Sequence, residues 1–290
     1  MSKITARLAP LLFLVIVISI SSASVLVLLS GAGAAACAFW RTLIAGIIMF
    51  AMGFHNSKCM MIVHERRYLL YSIIAGVMLS AHFIMWMKSL FLVPVAVSTA
   101  AVITYPLFNA LADSILLHEP PTRLQVVGII LAFAGVVLFL HPVTSTEYDV
   151  LGVILALASA VAVAAYFNLG RIVRKKINLS EYASITYLVS TAVTAVYAIV
   201  SSENIIAYPP KTYTYFVLLA VVPMLGGHTL MNYLLRYFKT HVISSLGFME
   251  PIGASILAYL LLNQHISTHV AASMGLVLIG VFLVVIGGLK

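Results

Sequence analysis

Apolar residues run along this chain in blocks of about twenty, separated by short polar links. A helix rising about 1.5 Å per residue needs ~20 such residues to cross a ~30 Å hydrocarbon layer. Ten blocks fit that length: Pro10–Ser30, Ala35–Phe54, Tyr68–Leu90, Pro94–Leu117, Leu124–Leu140, Val150–Leu169, Tyr182–Ser201, Tyr213–Leu235, Val242–Leu262 and Thr268–Gly288. The pattern predicts an all-α membrane protein with ten transmembrane helices. Pro120–Pro121 and Pro209–Pro210 fall in links, where proline interrupts no helix. Glycines scattered through the blocks suit close helix contacts in lipid.

A repeat underlies the pattern. A shift of 145 residues carries Pro106 onto Pro251, Gly135 onto Gly280, and the turn His118–Thr122 onto Asn263–Ser267. Literal identity is low, so the aligned prolines, turns and order of segments carry the case for duplication. The halves are 1–143 and 149–290, each with five spans. An odd number of spans inserts the second half upside down, which predicts an inverted repeat with a site between the halves.

Composition and charge agree. The chain has 290 residues, 63% of them hydrophobic and 8% charged, with a mean hydropathy of +1.12, whereas soluble domains carry about 25% charged residues. The formal charge of +8 is a matter of topology. With the N-terminus inside, Lys3, Arg7, Lys58, Arg66, Arg67, Arg123, Arg171, Arg174, Lys175, Lys176, Arg236, Lys239 and Lys290 share the inner side. Those are thirteen of the sixteen Lys and Arg residues. Lys88 and Lys211 fall outside and Arg41 within a span. The split predicts a multi-pass protein of the cell membrane with both termini cytoplasmic, in contact with the lipid bilayer and with no affinity for nucleic acid. Lys3, Arg7 and the following apolar run imitate a signal peptide. The run is too long for a signal core, and cleavage would remove the repeat partner of the sixth span. Cys37 and Cys59 fall on opposite faces, so no bridge between them is expected.

Polar groups at mid-depth mark the candidate site. Glu250 lies about nine residues into the ninth span, beside Pro251. An ionisable group near the bilayer centre is expensive and by default functional, and the proline loosens the helix at the same depth. A hydrogen bond between helices and a proton-carrying role both remain open for Glu250. Tyr105, Asn109 and Asp113 recur every fourth residue on one face of the fourth span. They are expected to line a cavity, with one interhelical hydrogen bond the alternative for Asn109 and simple hydration the alternative for Asp113. His228, Asn232 and Arg236 repeat that spacing on the eighth span. A histidine can carry a proton near neutral pH, or be satisfied by a neighbouring helix. Arg236 reads as an interface anchor. His82 and Trp86 fall on one face of the third span, where the indole could stack on a ligand or sit in an interfacial belt. Tyr166 is the deeper polar residue of the sixth span. Arg41, about a turn and a half inside the second span, could snorkel to the outer interface or attract an anion. The first of these is favoured.

With these residues in view, the chain resembles the EamA-type branch of the drug/metabolite transporter superfamily. Phe39-x-Arg41 and the run Gly227-His228, Asn232-x-x-Leu235 and Glu250-Pro251 carry the likeness, which covers nearly the whole chain. The resemblance implies ten helices in two halves, and export of amino acids or other metabolites through a cavity between them. Three positions depart from the family pattern. Gln264 replaces an acid that Glu119 keeps in the first half. Asp113 adds a carboxylate. Thr186 stands where the shift would place a counterpart of Arg41.

The expected function is a secondary transporter that moves a small polar solute, an amino acid first, by alternating access. His82, Trp86, Tyr105, Asn109, Tyr166, His228, Asn232 and Glu250 are the expected substrate-binding residues. No cofactor, catalytic group or metal site is expected. Oligomeric state is left open, with a monomer admissible. A nucleotide-sugar carrier of the same superfamily is the alternative, and would want several cations in the cavity for phosphates. A membrane-embedded enzyme is disfavoured, because no nucleophile–base pair, phosphate loop or ligand cluster is evident.

Overall fold

The computed structural model describes residues 3–54, 65–140, 149–253, 256 and 268–288. The secondary structure among them is helical throughout. The first span consists of α1 (Lys3–Ser21) and α2 (Ala23–Leu29), followed by α3 (Ala34–Phe54) and α4 (Arg66–Leu92). After α5 (Val95–Val102), α6 (Tyr105–Ile115) and α7 (Arg123–Leu140) come α8 (Val150–Arg174) and α9 (Leu179–Val200). Next, α10 (Pro210–Leu219), a π-helical stretch Ala220–Thr229 and α11 (Leu230–Leu234) run on as one rod. Then come α12 (Thr240–Ser244), a 3-10 stretch Ser245–Met249 and α13 (Thr268–Gly288).

Among the described residues, seven stretches are long and apolar enough to cross a membrane: Leu8–Leu29, Ala34–Gly53, Arg66–Leu92, Val150–Arg174, Leu179–Val200, Pro210–Leu234 and Ala271–Gly288. Arg123–Leu138 is a shorter apolar helix. The fourth expected span is divided between α5 and α6. The ninth begins within α12 and is described to residue 253 and at 256; its remainder lies outside the described residues, as do Gln264 and Cys59.

The repeat prolines explain the irregular spans. Pro106 occupies the first turn of α6, where a missing N–H costs nothing, and its ring prevents the helix from continuing back through Thr104. Pro251 follows the change from 3-10 to α geometry at Glu250. These two irregular helices meet, since a Cβ on Gly247 would collide with the Tyr105 ring. Pro223 lies within the π-helical stretch, a geometry that often accompanies functional sites.

Packing joins the first half to the second. α3 runs along α9, α4 along α8, α7 along α13, and α1 along the π-helical stretch. Glycine sets the closest of these approaches. A Cβ on Gly280 would meet the backbone of Gly128 and Ala132, and one on Gly135 would meet Val277 and the Ser273 carbonyl. The shift of 145 turns each of these contacts into the other, taking Gly128 to Ser273, Ala132 to Val277 and Gly135 to Gly280. Ser19 similarly packs on Gly226 and Ser21 on Gly253.

The distribution of polarity is that of a protein dissolved in lipid. Leu11, Ile18, Phe50, Ile130, Ile154 and Phe282 are exposed, while Arg41, His82, Asn109, Asp113, Asn232 and His241 are buried. Apolar side chains outward and polar ones between helices is the arrangement a bilayer rewards.

Candidate functional site

A cavity of about 40 Å³ lies between the halves, room for a few waters at most. From the first half Arg41 on α3, His82 and Trp86 on α4, and Tyr105 at the start of α6 reach its wall. From the second come Val163 and Phe167 on α8, His228 in the π-helical stretch, and Glu250. Ile20, Ala23, Val102 and Met231 add aliphatic surface. The breaks described above place the chemistry. Tyr105 stands at the restart after Thr104, and Glu250 at the change of helical geometry before Pro251.

Aromatic contacts tie the wall together. The His82 ring lies parallel to Trp86, centroids 6.1 Å apart and planes 3° from coincidence. His228 stacks on Phe167 at 5.8 Å and contacts Tyr166 at 5.9 Å. His82 Nδ1 is 2.8 Å from the Ser159 hydroxyl. Trp86 is 4% exposed, so it is a wall residue and not a member of an interfacial belt.

Arg41 corrects the expectation of snorkelling. It is 1% exposed, and Phe83 covers its guanidinium at 4.0 Å from the ring centroid. None of its three guanidinium nitrogens has a hydrogen-bond partner. An unpaired buried ion costs several kcal/mol, of which a desolvated cation–π contact returns about 2 kcal/mol. The cavity therefore holds a cation without a hydrogen-bonded counter-ion, with Glu250 on the same wall but not in ion-pair contact. Trp86 Nε1 and His228 Nδ1 are likewise buried without a partner. In sequence Arg41 has two destinations at equal reach, and Phe83, on another helix, decides between them.

The other expected site residues surround the cavity without lining it. Asn232 donates to the Tyr166 hydroxyl at 2.5 Å and to the His228 carbonyl at 2.7 Å. Asn109 accepts from Asn168 at 2.7 Å. Asp113 is fully buried, its Oδ2 accepting from the backbone N–H of His241 at 2.8 Å and lying 2.6 Å from His241 Nδ1. The face Tyr105–Asn109–Asp113 forms as expected, but only Tyr105 meets the cavity. Asn109 makes an interhelical hydrogen bond, the alternative to lining the cavity, and Asp113 binds the second half instead of being hydrated. His241 was not legible in sequence, because its partner lies 128 residues away.

Two polar clusters link the halves away from the cavity, and the one at Lys88 and Glu203 lines a second, larger pocket of about 850 Å³. In one, Glu119 pairs with Arg171 at 3.1 Å and Lys175 at 2.6 Å, and Arg171 donates to the Leu235 carbonyl. In the other, Glu203 pairs with Lys88 at 2.9 Å, accepts from the Ala35 N–H and from the Tyr197 hydroxyl. Partial burial pushes the Glu119 carboxyl up, but Lys175 and Arg171 outweigh it and hold the group below its ordinary value. Burial also opposes ionisation of Glu203, and Lys88 with Tyr197 reverses the balance in the same way. Among the described residues no three His, Cys, Asp or Glu side chains are grouped to hold a metal.

Comparison with known proteins gives this geometry its context. The profile of the EamA-like transporter family matches residues 7–141 and again 150–286. An uncharacterized transporter of Archaeoglobus fulgidus is 27% identical over 199 residues, covering 65% of this chain and 67% of that protein. One solved crystal structure superposes with a TM-score of 0.77 over 97% of this chain and 98% of its own, at 17% identity, a likeness of fold. Two family matches span nearly all of a helical, lipid-facing chain whose central cavity both halves build, and the chain belongs to the EamA-like transporter family.

Proposed function

We propose that this transporter is a secondary carrier that moves a small polar metabolite, an amino acid first, by alternating access through the Arg41–Glu250 cavity. The observation that carries the reading is a wall drawn from both halves, with a separate polar cluster joining the halves on either side of it. Opening either cluster would expose the cavity to one side at a time. Glu250 offers a counter-charge to a solute ammonium group, and Trp86 and Phe167 offer apolar surface to its side chain. Tyr166, Asn109 and Asn232 hold the wall in register from behind.

The architecture of the reading is ten helices in two inverted five-helix repeats, 1–143 and 149–290. Its support is that the contacts of α7 and α13 exchange with one another under the 145-residue shift. Both termini are assigned to the cytoplasm of a cell-membrane protein, on the charge distribution. Export is the direction the family resemblance favours. The nucleotide-sugar alternative is disfavoured because Arg41 is the one Lys or Arg on the described cavity wall.

A screen of radiolabelled amino acids in proteoliposomes, with and without a pH gradient, tests the reading. Saturable uptake of at least one is expected, and a panel in which none moves faster than through empty vesicles refutes it.

A further inference from the structure

We infer that Arg41 is a carboxylate-binding subsite, so that the transported solute is an acid or a zwitterion and not a simple amine, amide or neutral sugar. The inference rests on the cavity being the transport site and narrows what the site accepts. Arg41 lies on the wall at 1% exposure, with Nε, Nη1 and Nη2 all lacking acceptors. Phe83 covers a face of the guanidinium. The charged edge, which carries the five donors, is unsatisfied until a planar acceptor reaches it. A carboxylate matches that edge with two parallel charge-assisted hydrogen bonds, whereas an amide offers one neutral acceptor.

The surroundings support an incoming acid over an internal one. Glu250 is the one acidic side chain on the described wall, and it makes no ion pair with Arg41 within 4.0 Å. Trp86 Nε1, a donor with no other chemistry available, is also unpartnered. Thr186, at the repeat position of Arg41, uses its hydroxyl on the Ser72 carbonyl at 3.3 Å. The subsite therefore belongs to one half. A solute with a carboxylate at Arg41 and an ammonium group at Glu250 would have a fixed orientation in the cavity.

Matched acid and amide probes test this on the purified full chain: acetate against acetamide, benzoate against benzamide, and L-phenylalanine against L-phenylalaninamide. Affinity is read from the ligand-induced thermal shift. At least one acid should bind about tenfold or more tightly than its amide, the scale of a hydrogen bond to a charged group. Arg41→Gln should abolish that preference, and Arg41→Lys should retain part of it. Equal binding of acids and amides to the wild type overturns the inference, whether or not Arg41→Gln folds, and so does a preference that survives Arg41→Gln. Vesicles that move no solute while the preference persists would instead remove the transport reading and leave the subsite. Vesicles that move acids and amides equally would do the reverse.

Discussion

Glu250 and Arg41 stand on the wall of one small cavity, the carboxylate between a 3-10 stretch and a proline and the guanidinium beneath a phenyl ring. Glu250→Gln keeps shape and most hydrogen-bonding capacity while removing the charge and the transferable proton. It is predicted to fold, to exchange a zwitterionic solute more weakly for want of the counter-charge, and to transport without response to a pH gradient. Gradient-driven uptake and counterflow, stepped across pH, measure both properties. Unchanged counterflow together with unchanged pH dependence would leave Glu250 a packing residue. Glu250, His228 and Tyr105 were legible in sequence because polar groups at mid-depth of an apolar block have few inexpensive alternatives. Arg41 and the Asp113–His241 pair were not. A long cation near a helix end reaches either interface or interior, and a buried pair 128 residues apart leaves no local pattern.

The interface between α7 and α13 depends on glycine. Any Cβ at Gly280 would enter the backbone of Gly128 and Ala132, whereas Gly275 on the same helix has nothing within 4 Å of its virtual Cβ. Gly280→Ala is therefore predicted to destabilise by about 1–3 kcal/mol through overpacking. Gly275→Ala should be neutral or slightly stabilising through helix propensity. Thermal unfolding of the two variants in detergent decides, and equal melting temperatures would remove the close-packing argument. The polar clusters make a separate prediction. Glu119 is held below its ordinary value, so its ionised form favours the paired structure. That contribution is present above the ~4.3 of a free glutamate and is lost as pH falls through the depressed folded value. At neutral pH, Glu119→Gln should raise hydrogen exchange of the Leu116 to Glu119 amides by about fivefold, for ~1 kcal/mol of network energy. The wild type should show the same loosening only in acid. Exchange that is unchanged in the variant would mean that Glu119 does not hold this cluster together. Pro251 announced the irregularity in the ninth span, whereas the break before Pro106 in the fourth was not foreseen. The π-helical stretch around Pro223 was not foreseen, because hydropathy does not distinguish it from an α-helix.

On the scale of the molecule, long apolar blocks, a 145-residue shift and lopsided Lys and Arg made the membrane class and the two-part plan readable. The cavity's contents needed the packing of helices far apart in sequence. Orientation follows from charge and is open to direct test. On intact cells, an impermeant maleimide should label a cysteine at Lys211 and spare one at Lys176, both exposed positions. The opposite pattern would invert the assignment. The most direct test of the central claim, a carrier working through the cavity between the halves, is counterflow in proteoliposomes. Wild type is compared with Val163→Trp, which fills the cavity from α8 and is checked for folding by size exclusion. Unlabelled solute inside the vesicles should accelerate entry of the labelled amino acid severalfold for wild type and not for the folded Val163→Trp protein. Uptake indifferent to internal solute, or counterflow undiminished when the cavity is filled, would contradict the account.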